Sequence, residues 1–113
     1  MNLSSNLVEL NSTNEFNNVL NGKKDHLILL EFYADWCSPC KTFKPIYERT
    51  SQKYLGENII FARIDAKKMG KAMHSFGIHS IPSLAFFKNK KALKIVIGAV
   101  KEKELIDFID AFL

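Results

Sequence analysis

Apolar and polar positions along this chain switch between two periods, and the switches mark its elements. Leu7 to Leu10 reads as a short first strand. Ser12 and Glu15 then have the spacing of a capping box, and Phe16, Val19 and Leu20 recur at helical intervals before Gly22 supplies a stop. His26 to Tyr33 is nearly all apolar without alternation, the pattern of a strand covered on both faces, as central strands of parallel sheets are. Glu31 interrupts it. From Cys37 and Cys40 onward, Phe43, Ile46, Tyr47, Thr50 and Tyr54 fall three or four apart as far as Gly56, predicting a long helix. Pro45 lies within it and predicts a kink, because proline removes a backbone donor and crowds the preceding turn.

Asn58 to Ile64 reads as a third strand, and Met69, Ala72, Met73 and Phe76 share one face of a helix closed by Gly77. Ser83 to Lys88 and Ala92 to Ile97 are strand-like and separated by Asn89-Lys90-Lys91 alone, too close for a parallel crossover, so an antiparallel hairpin is expected. Leu105, Phe108, Ile109 and Phe112 end the chain as an amphipathic helix. The order βαβαβαββα predicts an α/β fold: one domain over residues 1–113, with a mixed central sheet flanked by helices on both faces and right-handed crossovers in its parallel part. The two cysteines fall where a strand hands over to a helix. In sheets of this kind, ligand sites gather beyond the carboxyl ends of the strands.

Composition narrows the picture without redrawing it. With 113 residues, 47% hydrophobic and 25% charged, the chain is long enough for one apolar core without disulfide staples. The longest aliphatic run, Leu27-Ile28-Leu29-Leu30, is far short of the roughly 20 apolar residues that cross a bilayer. No membrane partner is expected. Met1 to Asn6 carries no positive cluster followed by an apolar stretch, so no secretory signal is read there and a cytoplasmic location is expected. The net charge of +4 is spread over several lysine groups with neither a recognition motif nor interleaved exposed aromatics, which argues against nucleic-acid binding.

Two cysteines separated by two residues admit three readings: a redox couple, half of a metal site, or coincidence. At the first turn of a helix, unpaired N–H groups and the positive end of the dipole favour an anion, so Cys37 is the expected nucleophilic thiolate. Cys40 lies one turn further in, within reach of a mixed disulfide on Cys37, and is the expected resolving thiol. Pro39 suits an early helical position and stiffens the loop. Trp36 either shields the site or packs as an ordinary aromatic. A zinc site from Cys37, Cys40, His74 and His79 has suitable spacing within each pair, but the interval between the pairs is too wide for a zinc finger. No metal is expected.

The segment Glu31-Phe32-Tyr33-Ala34-Asp35-Trp36-Cys37-Ser38-Pro39-Cys40-Lys41 resembles the active-site segment of thioredoxins. Pro45 resembles that family's helix-kinking proline, and Gly77-Ile78-His79-Ser80-Ile81-Pro82-Ser83 resembles the stretch bearing its cis-proline. Phe86-Phe87-Lys88-Asn89 and Ile97-Gly98-Ala99 resemble its final hairpin and the glycine beside its substrate groove, so the likeness covers nearly the whole chain. The resemblance implies a thioredoxin-like domain in which Cys37 and Cys40 cycle between dithiol and disulfide to reduce protein disulfides. Pro82 would be cis and packed against the disulfide. Trp36, Ser38, Pro39, Ile81, Pro82 and Gly98 would contact the substrate, with the Ile81 backbone free to pair with an extended segment. No bound cofactor is implied; electrons would come from NADPH through a thioredoxin reductase, and the protein is expected to be a monomer.

Several residues depart from that pattern. Glu31 stands where the family usually has an aspartate thought to exchange a proton with the resolving cysteine, so Glu31 is a candidate proton acceptor for Cys40. A carboxylate inside a buried strand is costly unless neutral or paired. Arg63 falls where the family often has a lysine, and an Arg63 pair would instead hold Glu31 ionised. Ser38 replaces the commonest glycine, Lys90 replaces a usual turn glycine, and no histidine lies between the cysteines, which favours a reductant over an oxidant or isomerase. A domain kept only for docking partners, with its cysteines idle, is the remaining alternative, and the intact pair argues against it.

Overall fold

The computed structural model describes residues 7–113; the opening Met1 to Asn6, on which the absence of a secretory signal was read, lies outside them. Five strands form one sheet in the order β1-β3-β2-β4-β5, with β1 Val8–Leu10, β2 Leu27–Tyr33, β3 Ile59–Asp65, β4 Ser83–Lys88 and β5 Lys91–Ile97. Strands β1, β3 and β2 are parallel, whereas β4 runs antiparallel to β2 and β5 antiparallel to β4. The helices are α1 Thr13–Gly22, α2 Ser38–Gln52, α3 Lys71–Ser75 and α4 Glu102–Phe112. Among the described residues, no helix is long and apolar enough to cross a membrane.

Alternate residues of the buried strand β2 divide the core in two. Ile28, Leu30 and Phe32 pack with Phe16 of α1 and Met73 of α3, while Leu27 and Leu29 pack with Phe43 and Tyr47 of α2 and with Leu105 and Ile109 of α4. Apart from Glu31 the interior of the strand is therefore apolar, because helices cover both of its faces. Glu31 belongs by this alternation to the face beneath α2. Tyr47 joins that helix to the sheet, its hydroxyl donating to the carbonyl oxygens of Ala62 at 2.8 Å and Leu29 at 3.3 Å.

Local signals explain the ends of the elements. Ser12 caps α1 by accepting from the Glu15 amide at 3.1 Å, and Glu15 reaches back to the amide of Asn11 instead of that of the cap. Helix α2 runs through Pro45 as one element and stops at Gln52, short of the expected Gly56, with the intervening residues in turns. The helix expected around Met69 to Phe76 is shorter, and Gly70 cuts Met69 off from it. A 3-10 turn over Ala66–Lys68 precedes Gly70, whose φ of 53° interrupts helical geometry, and α3 begins after it. Gly77 closes α3 at φ 79°: its amide donates to His74 O and that of Ile78 to Met73 O, a Schellman arrangement.

The hairpin loop is one residue tighter than expected. Lys91 already belongs to β5, and the turn is Asn89-Lys90 alone, with φ of 52° and 68°. Two left-handed residues make the twist of this turn match that of the strands. Lys90 has a Cβ that disfavours this conformation. Replacing it with glycine is therefore expected to stabilise the domain by about 1 kcal/mol, measured as a raised urea midpoint at unchanged slope.

Candidate active site at the start of helix α2

The chain leaves the carboxyl end of β2 at Tyr33, turns through residues 34–36 and enters α2 with Cys37 as its cap. The Cys37 amide donates to Ala34 O at 3.2 Å, which sets the turn, and Cys37 Sγ accepts from the Cys40 amide at 3.2 Å. A sulfur thus occupies the place where a serine or aspartate oxygen ordinarily satisfies an orphan donor. Pro39 sits in the first turn, where its missing N–H loses no helical bond. Cys37 and Cys40 are joined as a disulfide with Cα atoms 5.3 Å apart. Both are buried against Ala34, with Tyr33 and Ile81 packed on the cluster, while Ser38 and Pro39 are exposed.

Trp36 is 80% exposed, which removes the reading of an ordinary packed aromatic. It borders a shallow pocket of about 130 Å³ formed with Asp35, Asp65, Lys67 and Ile81. Ile81 of this lining leads into Pro82 through a cis peptide bond. Ser83 Oγ ties this loop to Ser80 O at 2.7 Å, and Pro82 O accepts from the Gly98 amide at 2.8 Å. Gly98 has φ of 95°, a conformation that excludes ordinary side chains, and the space where its Cβ would lie is open. The fold thus gathers Trp36, Cys37, Cys40, Ile81, Pro82 and Gly98 from three separate stretches of chain. Asp65 and Lys67, which line this pocket, were missed by sequence reasoning; their position at and just beyond the carboxyl end of the parallel strand β3 was the signal that could have found them.

Glu31 is fully buried and pairs with Arg63, whose Nε lies 3.2 Å from Oε1. Its other oxygen, Oε2, has no hydrogen-bond partner. Burial pushes the Glu31 carboxyl up to about 7, outweighing the opposing pull of the Arg63 guanidinium. The Arg63 pair posed by the sequence is present, yet it does not hold the acid in the ordinary carboxylate range. A second pocket, of about 150 Å³, is lined by Cys40, Lys44, Arg63 and Tyr33 among others, on the α2 side of the sheet.

The rings of His74 and His79 lie 4.9 Å apart, but among the described residues no three His, Cys, Asp or Glu side chains are grouped to hold a metal ion.

The raised Glu31 value has a consequence for stability. The native state binds this proton with a value of about 7 against the ordinary 4.5, so between those values it holds more protons than the unfolded chain. The contribution is complete below pH 4.5 and is lost as pH rises through 7. For the oxidised protein, Glu31→Gln is expected to remove a fall of up to about 3 kcal/mol between pH 4.5 and 8, measured by urea unfolding across that range.

Comparison with known proteins agrees with this geometry. The family model described as Thioredoxin matches residues 6–111. The chain is 35% identical over 104 residues to the thioredoxin of Buchnera aphidicola subsp. Acyrthosiphon pisum, covering 92% of this chain and 94% of that protein. It superposes on the reduced thioredoxin pre-protein of Schistosoma mansoni with a TM-score of 0.86 at 30% identity, covering 96% of this chain and all of that one. Thioredoxin NaTrxh of Nicotiana alata gives the same TM-score at 29% identity, with 98% and 96% covered. A disulfide at the start of a helix, the shared fold and these relatives lead to one conclusion: the chain belongs to the thioredoxin family of disulfide oxidoreductases, which reduce protein disulfides by thiol exchange, and Cys37–Cys40 is its redox-active pair.

Proposed function

We propose that Cys37 is the attacking thiolate of this reductase and Cys40 the resolving thiol. The observation that carries this is the position of Cys37 as the cap of α2, where its sulfur accepts the Cys40 amide. In the reduced protein the same amide and the helix dipole favour a negative sulfur there. The Cys37 thiolate attacks one sulfur of a substrate disulfide, forming a mixed disulfide and expelling the other sulfur as thiolate. Cys40 then gives its proton to Glu31 and attacks Cys37 Sγ, which releases the second substrate thiolate and leaves the Cys37–Cys40 disulfide. Two electrons pass to the substrate.

Glu31 suits the role of acceptor because burial brings its carboxyl to about 7, near working pH. The pocket lined by Cys40, Lys44 and Arg63 has room for a water to relay the proton, and Arg63 joins it to Glu31. Trp36, Ser38, Pro39, Ile81, Pro82 and Gly98 form the substrate contact, with an extended segment of the substrate lying along Ile81. A thioredoxin reductase drawing on NADPH returns the pair to dithiol, and the protein itself holds no cofactor. It works as a monomer in the cytoplasm, a compartment that keeps such thiols reduced.

The test combines the purified protein with NADPH, a thioredoxin reductase and a disulfide-bearing protein. Wild type consumes NADPH, Cys37→Ser does not, and Cys40→Ser accumulates a stable mixed disulfide seen on non-reducing gels. A Cys37→Ser variant working at the wild-type rate would overturn the assignment. Glu31→Ala is expected to slow the reaction by about tenfold to a hundredfold while still folding; an unchanged rate in the folded variant removes Glu31 from the mechanism.

A further inference from the structure

Strands β1, β3 and β2 lie side by side, and their register puts Glu9, Arg63 and Glu31 in one row across the sheet. The Arg63 guanidinium is shared between the two acids. Its Nε faces Glu31 Oε1 at 3.2 Å, and its Nη1 lies 3.6 Å from Glu9 Oε1. Tyr33 holds this arrangement from above: Arg63 Cζ is 3.6 Å from the centre of its ring, and its hydroxyl donates to Glu9 Oε2 at 2.7 Å.

A guanidinium and a carboxylate left to themselves favour two parallel N–H···O bonds that use both oxygens. Here only one oxygen of Glu31 is used, and Oε2 is buried without a partner. A bare anionic oxygen in that position is costly, and a protonated carboxyl is far less so. The arrangement is unexplained by the Glu31–Arg63 pair alone. It follows once Glu9 and Tyr33 are included, because they draw the far end of the guanidinium toward the edge of the sheet.

We propose that Glu9 is a positioning residue for the reaction: with Tyr33 it holds Arg63 on one oxygen of Glu31 and leaves the other oxygen to take the Cys40 proton. This rests on the reading of Glu31 as proton acceptor. The other groups facing Glu31 do not provide the same control. From α2 come the Lys44 cation, which favours the Glu31 anion, the buried Tyr47 phenol and Cys40; β4 contributes the apolar Leu84; Asp65, further along β3, is engaged with Lys67. Glu9 alone is an anion joined to Arg63 from the side opposite Glu31, and its half-exposed side chain can be changed without opening the core.

The Glu31 carboxyl is titrated directly by carbon-13 NMR in wild type, Glu9→Gln, Arg63→Gln and the double variant, alongside the pH–rate profile of disulfide reduction. Glu9→Gln frees Arg63 to engage both Glu31 oxygens, so the Glu31 midpoint and the corresponding limb of the profile are expected to move down by about one pH unit. In the Arg63→Gln background the same change is expected to move the midpoint far less, since its route is gone. No shift in Glu9→Gln overturns the proposal, and so does an equal shift in both backgrounds, which would make Glu9 a mere distant charge. A profile whose limb persists in Glu31→Gln refutes the role of Glu31 instead, and that outcome is separate because the NMR midpoint is read without activity.

Discussion

The chemistry of this protein depends on where one strand ends. Strand β2 is buried on both faces and flanked on both edges, so the position of its carboxyl end is determined by the whole sheet. Helix α2 must start directly beyond it, and its first turn carries amide groups that have no carbonyl partner within the helix. Because the residue at the cap is a cysteine, the group that answers those donors is also one sulfur of the redox-active pair. A thiol elsewhere on the surface would have neither the amide from Cys40 nor the dipole behind it.

The same constraint sets the cost of Glu31. A central strand that holds the helix start rigidly must be enclosed, and an acid inside it loses its water. The structure answers with Arg63, itself nearly buried and held under the Tyr33 ring. This compensation is partial: the carboxyl still titrates near neutrality and one oxygen stays unpartnered. Stability is given up at the group proposed to take the Cys40 proton, and perturbed carboxyls of this kind are common among groups that take part in proton transfer.

The face proposed to meet substrate is built differently. Its parts are loops: the residues before α2, the Ile81-Pro82 segment and the Gly98 turn, tied together through the Gly98 amide and Pro82 O. Loops at the carboxyl end of a sheet can vary in their side chains while the strands keep the reactive sulfurs in place. Trp36, almost free of packing, is available to a partner for that reason.

Apolar periodicity alone determined the number, type and order of the strands and helices, because burial on one or two faces must be written residue by residue along the chain. It also placed Cys37 and Cys40 at a strand-to-helix junction, where their chemistry is legible. Boundaries set by backbone torsion were less so: Gly70 interrupts the expected third helix, and Asn89-Lys90 closes the hairpin without Lys91, since none of these φ values is visible in a hydropathy pattern. The sheet order and the register were decided only in the tertiary structure. Glu9, Arg63 and Glu31 are far apart in sequence, and no local rule makes them neighbours; they meet because parallel strands align at one register, which the packing of both faces selects.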